Sequence, residues 1–173
     1  MKMNTRKLSI MALFSVTALV IFVMEAGIPP IFPGFKLGLS NIVTLFMLFL
    51  GEKWKAPDVF LVFITRVLLA AFITGQGMSL IYSVTGGTAA LLIMLALKKA
   101  VSNAPVPAVS AAGAVAHNLG QISAAALILQ SGSVFIYLPV LIAGGIISGL
   151  LTGFSVWFLF RLHPKFISYM KNI

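Results

Sequence analysis

The strongest constraint on how this chain can fold is the placement of its twelve lysines and arginines within 173 residues. Six apolar stretches run near Ser9 to Ile28, Leu37 to Leu50, Pro57 to Ile73, Leu80 to Ala96, Val106 to Leu129 and Phe135 to Phe160. Ten of the twelve cations fall at the chain ends or in alternate gaps, as Lys2/Arg6/Lys7, Lys53/Lys55, Lys98/Lys99 and Arg161/Lys165/Lys171. The remaining gaps carry only Lys36, and Arg66 lies inside a stretch. A hydrocarbon core of about 30 Å takes about 20 apolar residues as helix, and flanking cations stay on the cytoplasmic side. The pattern therefore predicts an all-α integral membrane protein. It reads as a single six-helix transmembrane domain over residues 1–173 with both termini cytoplasmic. The gaps at 29–36, 74–79 and 130–134 then face out.

Composition narrows the classes of function. With 60% hydrophobic and 9% charged residues, the chain cannot cover a soluble surface, so the lipid bilayer is its first partner. The net charge of +9 is spread over four ends beside apolar spans, where anionic head groups rather than nucleic acid are the nearer partner. Without cysteine there is no disulfide, thiolate metal site or thiol nucleophile. His117 and His163 stand in different elements, so no metal site is read, and no cofactor is called for. The basic, then apolar start resembles a signal peptide. Its apolar run passes Phe22 and Met24 without a small-residue cleavage site, which predicts a retained first helix.

The second stretch is short. Its fourteen residues from Leu37 to Leu50 make about 21 Å of helix, too little to cross the core alone. Before it stands IPPIFPGFKLG, whose prolines stop helix continuation. Its Ile31, Phe32 and Phe35 should fold back onto the bundle to avoid water, as a lid over a site or as a plain re-entrant connector.

Polar groups inside lipid need a partner or a cavity, and they mark candidate sites. Arg66 sits near the middle of the third stretch. Two readings stand for it: an ion pair with Glu25 that ties two helices together, or a fork that holds a ligand's carboxylate or phosphate. Lys36 on the lid can add a second cation from above. In VSAAGAVAHNLGQISAAA, His117 and Gln121 share one helical face and Asn118 neighbours it, among alanines and glycines that permit close packing. Gln76, Ser79, Tyr82, Ser83 and Thr85 bring amide and hydroxyl groups down the fourth stretch. GQG and TGG match no nucleotide loop. Gly145, Gly149 and Gly153 repeat every four residues, one small face for a helix of this chain or of a partner.

Several motifs in chain order resemble a known family. A proline-rich loop follows the first helix, KLGLSNIVTLF with Asn41 enters the second, and an arginine sits inside the third; TGGTAALLIMLALKK then ends the fourth and GAVAHNLGQ lies in the fifth. On these the chain resembles the Gx transporter family, also labelled heptaprenyl diphosphate synthase component I. In architecture that family is similar to the substrate-binding S components of energy-coupling factor (ECF) transporters. The resemblance implies a small-molecule ligand captured from outside, between the lid and the outer halves of helices four to six. It further implies docking through the first helices on an ECF coupling subunit driven by ATPases, in a bacterial plasma membrane. S components often carry an Ala-x-x-x-Ala face on the first helix, whereas this chain has Ser9, Ala12, Ser15 and Ala18 at three-residue spacing.

The substrate-binding set expected on this basis is Lys36, Asn41, Arg66, Gln76, Tyr82, His117, Asn118 and Gln121. Vitamin-like molecules, flavins or their precursors, and short isoprenoid diphosphates are the ligand classes in order of preference, with Phe32, Phe35 and Tyr82 as aromatic faces. Catalysis by the chain itself is not expected. A prenyl diphosphate synthase clusters aspartates for magnesium and pyrophosphate, and here Glu25, Glu52 and Asp58 stand apart. The alternative is an accessory membrane subunit, without catalysis, of an isoprenoid, quinone or flavin-linked redox system.

Overall fold

The structure, a computed structural model, describes residues 5–27, 38–51, 53–75, 77–101 and 103–171. The lid at 29–36, together with Lys36 and Gln76, lies outside the described residues. Seven α-helices are described: α1 (Thr5–Ala26), α2 (Asn41–Phe49), α3 (Ala56–Thr74), α4 (Gly77–Ala100), α5 (Val106–Leu129), α6 (Leu138–Leu162) and α7 (Pro164–Lys171). A 3-10 helix over Gly132–Tyr137 leads into α6. Five segments are long and apolar enough to cross a membrane, namely α1, α3, α4, α5 and the run Gly132–Leu162. Large side chains such as Phe72 (88% exposed) and Leu127 (79%) point outward, where only lipid can receive them. The chain is a multi-pass membrane protein.

Two expectations change. Of the six expected membrane helices five are long and apolar enough to cross, and beyond His163 the short α7 adds a helix that buries Ile167 and Met170 against the bundle. The gap at 74–79 shrinks, since Gly75, at φ +67°, ends α3 in a left-handed turn that a side chain would strain, and α4 begins at Gly77.

The second helix is shorter still than the fourteen-residue stretch that holds it. Its nine residues rise about 13 Å. Val43 through Leu48 are all buried, so α2 sits inside the bundle and spans only part of it. At its C-terminal end the Lys98 ammonium donates to the Leu48 carbonyl and lies 5.4 Å from the Phe49 ring, which satisfies an orphan helix acceptor away from water. Its N-terminal end, with Ser40 and Asn41, therefore stands near mid-depth. Arg66, the eleventh residue of α3, reaches the same level.

The small residues work within this chain. A Cβ on Gly149 would come within 2.6 Å of the Ala111 Cα, and one on Gly153 within 2.5 Å of the Pro107 Cα. A Cβ on Gly120 would meet the Gly86 Cα at 2.9 Å. The glycine face of α6 thus packs on the backbone of α5, and α5 packs on α4 by the same means.

One end of the bundle gathers the basic clusters. Lys7 pairs with Asp58 at 2.5 Å and donates to the Lys53 carbonyl at 3.1 Å. Asp58 also accepts from the Lys55 amide at 2.8 Å, capping α3. Trp54 donates through Nε1 to the Met170 carbonyl at 3.3 Å, and Arg6 donates to the Tyr169 hydroxyl. These contacts tie α1, α3 and α7 together at the end where α2 stops.

Candidate ligand-binding site

Close packing of α4, α5 and α6 leaves a hollow where the short α2 ends. A cavity open at one side lies between α2, α3, α4, α5 and α6. The helical period explains its walls. On α5, Ser110, Gly113, Ala114, His117 and Gln121 recur every three to four residues along one face, with Asn118 at its margin, while α4 presents Gly87, Leu91 and Met94 in the same way. Asn41, Thr44 and Leu45 of α2, Phe63 of α3, and Ser148, Gly149 and Thr152 of α6 close it.

The lining sets a few neutral polar groups in a mostly apolar wall. His117 is its one titratable side chain, and no lysine, arginine or carboxylate borders it among the described residues. Most of its polar atoms are held in place. Asn118 donates through Nδ2 to the Leu141 carbonyl at 2.6 Å. Ser110 and Thr152 share a hydrogen bond at 2.9 Å, and Thr152 and Ser148 donate back along their own helix to the Ser148 carbonyl at 3.0 Å and the Gly145 carbonyl at 3.2 Å. Thr44 differs. It is only 3% exposed and lines the cavity, yet its hydroxyl makes no hydrogen bond within the protein. A buried hydroxyl without a partner costs free energy, and one that borders a hollow marks where a ligand or water atom belongs.

Of the eight residues expected at the site, the structure brings Asn41, His117, Asn118 and Gln121 together around this cavity. Tyr82 borders neither this cavity nor the next. It stands five positions before Gly87, which turns it well away from the lining face of α4. Arg66 is set apart as well. It borders a second, much smaller hollow with Phe22, Thr74, Ser79 and Ser83, on the far side of Phe63. Its terminal nitrogens donate to the Ser40 hydroxyl and, at 3.5 Å, to Asn41 Oδ1. Its guanidinium carbon lies 5.8 Å from the ring centroids of both Phe22 and Phe63. Glu25 accepts from the Gly38 amide instead, and it makes no ion pair with Arg66.

The expected depth also needs correction. Gly87 to Met94 and Ser110 to Gln121 occupy the middle of α4 and α5 and their halves toward the basic end, so the cavity is not confined to the opposite halves. Thr44, Ser110, Ser148 and Thr152 were not singled out from the sequence. Single hydroxyls in apolar helices commonly bond their own backbone, and Ser148 and Thr152 do so here.

The spans and motifs that build this cavity belong to a known sequence family. The profile described as heptaprenyl diphosphate synthase component I matches residues 14–159. The chain belongs to the heptaprenyl diphosphate synthase component I family. No curated protein and no solved structure matches it. Every residue that lines the first cavity falls within the matched span, whereas α7 lies beyond it. In this member of the family the described carboxylates are engaged elsewhere, Asp58 with Lys7 and Glu25 with the Gly38 amide.

Proposed function

We propose that this chain is the substrate-binding subunit of a membrane transporter, taking a small molecule from outside into the cavity between α2 and α6. The observation that carries the reading is Thr44, a residue of the cavity wall whose buried hydroxyl has no partner of its own within the protein. Around it stand the amides of Asn41, Asn118 and Gln121, the His117 imidazole and the Phe63 ring. Such a lining matches a flat heterocycle with amide-like edges: the amides and hydroxyls bond its rim and the ring covers a face. A vitamin-like compound, a flavin or a flavin precursor has this chemistry. In this reading the basic end faces the cytoplasm.

The ligand is handed on by partner proteins. An ECF-type coupling subunit with its ATPases docks on α1, whose Leu13, Val16 and Val20 are exposed. In this reading the chain binds and hands on its ligand without catalysis of its own. The family's description as a synthase component favours a second reading, an accessory membrane subunit that serves a partner enzyme.

Thermal melting of the detergent-purified chain separates the two. A panel of vitamins, flavins, flavin precursors and isoprenoid diphosphates should contain a compound that raises the melting temperature of the native chain, with the rise reduced in Gln121→Leu. A flat response to every compound, with stabilisation only by a protein partner, would refute the binding-subunit reading in favour of the accessory one.

A further inference from the structure

The second cavity invites a different ligand chemistry from the first. Arg66 is 4% exposed and has five N–H donors, of which two are accounted for by Ser40 and Asn41. Its Nε is buried and makes no hydrogen bond. The buried Glu25 carboxylate lies within electrostatic reach of it but makes no direct ion pair. Two aromatic rings flank the guanidinium at 5.8 Å, which tempers its charge without neutralising it. Toward the outer end of α3 and α4, the same cavity is bordered by Thr74, Ser79 and Ser83, the two serines one turn apart on one face of α4. A buried cation with spare donors, next to a hollow edged by hydroxyls, is an arrangement that a compact anion completes.

We propose that the cavity bounded by Phe22, Arg66, Thr74, Ser79 and Ser83 is an anion-binding subsite, where Arg66 holds a carboxylate or phosphate group and the α4 serines complete its shell. The subsite is separate from the first cavity. Phe63 and Asn41 form the partition, since both line the first cavity while contacting Arg66 from behind. The inference therefore does not depend on the first cavity binding anything. The anionic group is supplied either by a free solute or by a lipid whose head group enters between α1 and α4.

The test uses the full chain, melted in neutral detergent with sodium phosphate or sodium benzoate against sodium chloride at equal ionic strength. The native chain should show a saturable rise of several degrees with at least one of the two anions. Arg66→Gln should lose it, and Arg66→Lys should keep only part because the planar fork is gone. If Arg66→Gln does not fold, Ser83→Leu fills the cavity from the helix edge and should abolish the same response. Nanodiscs of phosphatidylcholine with and without phosphatidylglycerol separate the sources: stabilisation by phosphatidylglycerol that needs Arg66 identifies a lipid head group, and stabilisation by soluble anion in pure phosphatidylcholine identifies a free solute. Gln121→Leu should keep the anion response even where it loses small-molecule binding. The proposal is overturned if no anion or anionic lipid stabilises the native chain, if the response persists in Arg66→Gln or Ser83→Leu, or if Gln121→Leu removes it.

Discussion

The two cavities stand on opposite sides of a single layer formed by Phe63 and Asn41, and they are built by opposite means. The first exists because glycines draw α4, α5 and α6 together backbone to backbone, so that a nine-residue α2 cannot fill the space it leaves. Its polar atoms are neutral, and its charge is close to nil. The second exists around one buried cation, held by Ser40 and Asn41 and flanked by two rings. In the bilayer a neutral hydroxyl is cheap to keep and binds weakly, whereas a guanidinium is costly to bury and binds anions strongly. The contrast teaches that one small bundle can divide recognition of a polar ring and of a charged group between two compartments that share a wall.

The largest effect should come from breaking the frame of the first cavity. Gly153 does not line it, but a side chain there would run into the Pro107 Cα at 2.5 Å and the Ser110 Cβ at 2.9 Å, and backbone cannot step aside as a side chain can. Gly153→Leu should cost about 3 kcal/mol, at the upper end of what overpacking typically costs. Gel filtration and thermal melting should show lost folding yield, while Gly77→Ala, which meets nothing within 4 Å, should leave both unchanged. A stable Gly153→Leu chain with native yield would mean that the α5–α6 contact does not hold the cavity open.

A smaller change sharpens the comparison from within the cavity. Thr44→Val keeps the shape of the side chain and removes a hydroxyl that bonds nothing in the protein. Stability should hold or rise slightly. Affinity for a first-cavity ligand should fall about fivefold, the equivalent of about 1 kcal/mol for one hydrogen bond, while the anion response at Arg66 stays as it was. Isothermal titration of both variants against both ligand classes makes the check, and loss of stability with unaltered affinity would assign Thr44 to the framework alone.

Much of the frame was legible in the sequence because it rests on local signals. The bounds of α5 follow directly from its apolar run, and the four-residue glycine repeat of α6 announced a close helix contact, although only the fold names α5 as its partner. The shortness of α2 was visible in its flanking prolines. His117, Asn118 and Gln121 could be grouped because one helix carries them all. The rest depends on tertiary placement. Helix depth alone groups Arg66 with those residues, but Phe63, packed against Gly87, stands between them. Tyr82 was grouped by depth, but the phase of α4 turns it aside. The amphipathic α7 was hidden because eight residues rich in polar groups carry little signal until Trp54 and Arg6 bind their far side.

The central claim is that the first cavity holds a small molecule, and native mass spectrometry of the chain released from nanodiscs tests it most directly. After incubation with the compound that best raises the melting temperature, the native chain should carry that compound as a one-to-one adduct that survives delipidation. Gln121→Leu should carry little of it at the same concentration. An adduct of equal abundance in both chains, or none in the native chain, would contradict the account.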